Sequence, residues 1–77
     1  MTDAQLAALD YVAAMGGVAL DAHAKLRRST AGILYALGCL VPTKTKQLPP
    51  DWKAREWRIT EKGYEERRKA HEARDGR

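Results

Sequence analysis

Between Trp57 and Gly63 an alternating strand gives way to a capped helix within one residue, and this junction constrains the fold more than any other feature. Over residues 53–60, Trp57 and Ile59 point one way and Glu56, Arg58 and Thr60 the other, which is the period of a half-buried strand. Thr60 can end that strand by bonding a free helix N–H, with acidic Glu61 following in the first turn. Gly63 has no side chain, so the helix that starts here can lie close to a neighbour. After Tyr64 the residues are almost all charged and show no apolar stripe, which predicts a solvated segment fraying toward Arg77.

Working backward, Gln47-Leu48-Pro49-Pro50-Asp51 is a loop, and Leu40 to Lys46 is an extended segment. Pro42 makes that segment an edge strand, so residues 40–60 form a hairpin with a long tip. The N-terminal half reads as helical. Leu6, Leu9, Val12 and Ala13 mark one face of a helix over 3–15, capped by Thr2 or Asp3 and ended by Gly16-Gly17. Val18-Ala19-Leu20 is a single strand or an extended link. Asp21 is placed to cap a second helix over 22–27, with Ala24 and Leu26 inward. A third helix is expected over about 30–38, capped by Ser29 or Thr30, with Ile33, Leu34 and Leu37 buried and Gly38 as terminator.

A chain of 77 residues is one domain with a small core, expected over residues 1–66, followed by a charged extension over 67–77. Its single cysteine, Cys39, rules out an internal disulfide or a Cys-based zinc site, and a reducing cytoplasm is the natural setting. The N-terminus lacks the pattern of a signal peptide, and no run is long enough to cross a membrane.

Charge is unevenly placed. Acidic and basic residues cancel over 1–42, whereas 43–60 carry five basic residues against two acidic ones. A local excess of this kind suits a phosphate-facing surface, or else is a solvated loop that is basic by chance. Catalysis finds little support: His23 and His71 lie in no metal spacing and beside no nucleophile motif. No Gly-rich phosphate loop is present, no cofactor is implied, and the chain is expected not to be an enzyme.

Two stretches carry a family resemblance. Ser29-Thr30-Ala31-Gly32-Ile33-Leu34-Tyr35-Ala36-Leu37-Gly38-Cys39-Leu40-Val41 resembles a recognition helix with its "G-L-V" exit. Trp57-Arg58-Ile59-Thr60-Glu61-Lys62-Gly63-Tyr64 is similar to the step where the last wing strand enters the closing helix. Both resemble multiple-antibiotic-resistance-regulator-type and related small bacterial or phage regulators. The fold implied is α+β and mostly helical: a winged helix-turn-helix with three N-terminal helices, a β-hairpin wing and a short closing helix. The turn holds Arg27-Arg28 where such regulators usually have a glycine.

The resemblance implies a DNA-binding protein, a transcriptional regulator or a phage or plasmid accessory factor. Double-stranded DNA would meet the third helix and the wing. Ser29, Thr30, Gly32 and Tyr35 would face outward on that helix, with Arg27 and Arg28 at its start. Lys44 and Lys46 share one face of the wing by alternation, as do Lys53 and Arg55, and both pairs suit phosphates. The alternative is a protein-interaction module that docks on a partner such as transcription machinery, through Ala8, Tyr11 and Met15 of the first helix or through Trp52. Trp52 would stack on a sugar or a partner, or cap the edge of the core. Free in solution the chain is expected to be a monomer or a weak homodimer, with no membrane attachment.

Overall fold

A computed structural model describes residues 1–48 and 51–75. Helix α1 spans Asp3–Ala14, strand β1 Val18–Leu20, helix α2 Arg28–Ala36, strand β2 Leu40–Leu48, strand β3 Trp52–Ile59 and helix α3 Glu61–Asp75. The three strands form one antiparallel sheet in the order β1-β3-β2.

Helix α1 starts with a reciprocal capping box. Thr2 Oγ1 accepts from the Gln5 N–H at 3.2 Å, and Gln5 Oε1 accepts from the Thr2 N–H at 3.1 Å. Leu6, Ala8, Leu9 and Val12 give it a buried face. Gly16 and Gly17 then take positive φ, which turns the chain directly into β1.

The expected winged helix-turn-helix with three N-terminal helices does not form. Two helices precede the hairpin, and residues 22–27 make a turn in which the Leu26 N–H bonds the His23 carbonyl at 3.0 Å. The physical cause lies in Asp21. Its carboxylate, expected as a cap, instead accepts from the Arg55 N–H at 2.8 Å and the Trp57 indole N–H at 3.1 Å. Without a cap, a six-residue segment has too few internal hydrogen bonds to offset helix nucleation. The turn is held by Leu26, which is fully buried, and by His23, whose ring stacks on Tyr11 at 4.4 Å; Ala24 is exposed.

Helix α2 begins earlier than expected, at Arg28. Arg27 is its N-cap without a side-chain bond, so neither Ser29 nor Thr30 caps it. Ala31 and Leu34 are its buried positions, whereas Ile33 and Leu37 are exposed. The inward stripe is set by the Leu26 turn below and β2 beside it, and Leu37 already lies beyond the last helical residue.

Strand β3 is central, and β2 is an edge strand as Pro42 requires. Thr43 forms a bulge between the Pro42–Trp57 and Lys44–Glu56 pairs. The core is small: Leu9, Val12, Leu26, Leu34, Cys39 and Leu40 are fully buried, closed over by Trp57 and Ile59.

The closing helix is not short: α3 runs 15 residues. Thr60 donates to the Gly38 carbonyl at 2.6 Å and accepts from the Gly63 N–H at 3.0 Å. A Cβ on Gly63 would lie 2.3 Å from the Cys39 carbonyl oxygen, so only glycine fits where α3 crosses the α2–β2 link. Further along, Asp10 of α1 accepts from Arg67 at 2.6 Å and lies 2.8 Å from His71 Nε2, and Arg74 bonds Asp3. Polar pairs, not an apolar stripe, hold this half of α3 to α1.

Candidate nucleic-acid interface

β1 pairs with residues 56–58 only, so the hairpin beyond Glu56 continues as a two-stranded ribbon. Between that ribbon and α2 lies an open cleft of about 390 Å³. Helix α2 contributes Arg28, Gly32 and Tyr35, and the ribbon contributes Thr45, Lys53 and Arg55. Arg28 ties the two walls together by donating to the Lys53 carbonyl.

The cleft has a built floor. The Arg55 guanidinium lies 5.7 Å from the centre of the Trp57 ring, and the Tyr35 ring is 5.9 Å from the same indole. Asp21, only 9% exposed, fixes Trp57 and the Arg55 backbone from below. Arg55 is thereby seated on this floor, while Gly32 leaves the helix wall open.

The Thr43 bulge decides which side of the ribbon each cation occupies. Register places Thr45 opposite Arg55 and Gln47 opposite Lys53, on the side of Trp57 and the cleft. Lys44 sits opposite Glu56 and Lys46 opposite Ala54, on the other side. Each lysine lies near the Glu56 carboxylate, at 4.0 and 3.9 Å, and Thr43 Oγ1 donates to it at 2.6 Å. Each pair keeps to one face, but the two faces are opposite, and the Lys44–Lys46 face is partly neutralised.

Five residues singled out in the sequence therefore meet in one place: Arg28, Gly32, Tyr35, Lys53 and Arg55. Arg27 and Ser29 are exposed at the start of α2 and Thr30 is half-buried there; none lines the cleft. Thr45 was missed, because the signal for it is the bulge, which strict alternation does not anticipate. Asp21 was noticed but given the wrong role. The ribbon tip at Pro49 and Pro50, and the Trp52 side chain, lie outside the described residues.

Among the described residues no group of three His, Cys, Asp or Glu side chains could hold a metal ion. Burial pushes the Cys39 thiol up, with Glu66 adding to the shift and Lys62 opposing it, which disfavours the reactive thiolate. No helix among the described residues is long and apolar enough to cross a membrane. Comparison with known protein families, curated proteins and solved structures finds no match to this chain.

Proposed function

We propose that this chain binds duplex DNA, with α2 and the cationic ribbon on either side of a phosphate backbone. The observation that carries the reading is the convergence of Arg28, Lys53 and Arg55 with Tyr35 and Thr45 on one cleft, from α2 and both strands of the ribbon. Cations supply affinity for phosphates, while hydroxyls and a bare helix wall allow close approach. Both a helix and a two-stranded ribbon have the width to enter a major groove. A net charge of +4 adds attraction at longer range. The role that follows is that of a small regulator or accessory factor in the cytoplasm, with no chemistry of its own.

The test is fluorescence anisotropy with a random duplex over a salt series. With three to four phosphate contacts the log–log slope should be about −3 to −4. Lys53→Ala with Arg55→Ala should flatten it by about 2. Lys44→Ala with Lys46→Ala should flatten it less, since Glu56 already screens that face. Absence of binding at low salt refutes the proposal. A second reading, docking on a protein partner, is favoured by the exposed Ile33 and Tyr35 of α2 and Leu37 at its C-cap, which are apolar for a helix that meets nucleic acid.

A further inference from the structure

The two faces of the β2–β3 ribbon differ in how their cations are partnered. On the face away from the cleft, Lys44 and Lys46 flank a single carboxylate, at 4.0 Å from Glu56 Oε2 and 3.9 Å from Glu56 Oε1. The lysine side chains are 60% and 46% exposed, whereas that of Glu56 is only 17% exposed. Thr43, at the bulge, donates to Glu56 Oε2 at 2.6 Å and fixes the carboxylate between the two amines. Arg58 shares this side of β3 but stands in the three-stranded part, opposite Val18 and Val41. On the cleft face, none of Arg28, Lys53 and Arg55 is paired with a carboxylate among the described residues. The acid beneath them, Asp21, is almost wholly buried and engaged by the Arg55 and Trp57 N–H groups.

We propose that Glu56 is a specificity-determining residue that confines nucleic acid to the cleft face of the ribbon. The inference rests on the DNA-binding reading and names the surface that takes the phosphates. A phosphate approaching Lys44 or Lys46 also approaches the carboxylate between them, and each amine then only exchanges one anion for another. The exposed lysine stems can swing outward, but the carboxylate is mostly buried and bonded to Thr43, so it stays and repels. A phosphate entering the cleft meets cations that hold no carboxylate. A ribbon with two equally attractive faces would draw a backbone to each side, and one well-placed acid makes the choice by repulsion.

Lysine footprinting of the full chain with a short random duplex tests it. Under single-hit acetylation read by mass spectrometry, duplex should protect Lys53 of the wild type and leave Lys44 and Lys46 as reactive as without DNA. Glu56→Gln keeps an oxygen for the Thr43 hydroxyl and should extend protection to both lysines. It should also steepen the salt slope by about 1–2 and tighten binding at low salt by about tenfold. In that background Lys44→Ala with Lys46→Ala should flatten the slope by about 2, more than in the wild type. Glu72→Gln makes the same charge change on α3, where Glu72 pairs with Arg68, and should leave slope and footprint unchanged. Circular dichroism melts confirm that each variant is folded, and the wild-type footprint needs no variant. A wild-type chain that binds duplex and protects Lys44 and Lys46 as fully as Lys53 overturns this inference alone. So does a Glu56→Gln chain with unchanged slope and footprint, or a Glu72→Gln chain that changes them as much. Absence of wild-type binding at low salt instead removes the DNA reading, and the inference falls with it.

Discussion

Replacing Asp21 with alanine tests the link between the core and the cleft. Its carboxylate accepts from the Arg55 N–H at 2.8 Å and the Trp57 indole N–H at 3.1 Å, and the side chain is almost wholly buried. Removing it leaves one buried donor, the Trp57 indole N–H, and one part-buried donor, the Arg55 N–H, without a partner, and each orphan costs about 1–3 kcal/mol. The expected loss is therefore about 2–6 kcal/mol. At roughly 0.05–0.15 kcal/mol per residue the whole domain holds only about 4–12 kcal/mol, so the loss is a large share of the total. At about 4–8 °C per kcal/mol for a chain of this length, the melting temperature should fall by about 10–50 °C. Asp21→Asn keeps one oxygen acceptor and should lose about 1–3 kcal/mol. A double-mutant cycle with Trp57→Phe isolates the indole bond: once Asp21 is gone, removing the indole N–H should cost markedly less than it does in the wild type. Thermal melts by circular dichroism read all four variants. An Asp21→Ala chain that melts within a few degrees of wild type, or a cycle with no coupling, would refute the reasoning.

Gly63→Ala should destabilise by about 1–3 kcal/mol or more, because the added methyl meets the Cys39 carbonyl and Ile59; urea titration reads the loss, and an unchanged midpoint contradicts the crossing geometry. For Asp10, burial raises the pKa, but hydrogen bonds and charge from His71 and Arg67 prevail and the carboxyl is held below its ordinary value. A depressed folded-state pKa gives stability that is present above the unfolded value and lost as pH falls through the folded one. Stability should therefore decline below about pH 4, and Asp10→Asn should remove part of that decline, as read by melts at stepped pH.

Much of the framework was legible in the residues because local signals agreed there. The Leu6-Leu9-Val12 stripe marked α1, Pro42 marked an edge strand, and Thr60 with Gly63 marked the strand-to-helix junction. The readings failed where a distant residue outweighed a local one. Asp21 looks like a cap until Trp57 and Arg55, more than thirty residues later, take its carboxylate. The length of α3 was hidden because its partners are Asp3 and Asp10 at the other end of the chain, and no apolar stripe announces them. In the cleft, residue types were readable but their sides were not. The extra residue at Thr43 reverses the strand's faces, separating Lys44 and Lys46 from Lys53 and Arg55.

The central place of β3 governs the order in which this protein can assemble. Both edge strands precede it in the chain, and β1 pairs with it across a gap of about forty residues, Val18 against Arg58. As the chain emerges from synthesis, α1, β1, α2 and β2 must therefore all wait. None of the sheet can form until β3 begins to appear, and the Asp21 carboxylate stays without its partners until Arg55 and Trp57 have emerged. Closing so long a loop carries an entropic cost before any contact rewards it. The tight β2–β3 hairpin is the least costly start, and α1 with β1 joins afterward. This makes the domain an all-or-none unit: a nascent chain or fragment ending before β3 retains two short helices and no core to hold them.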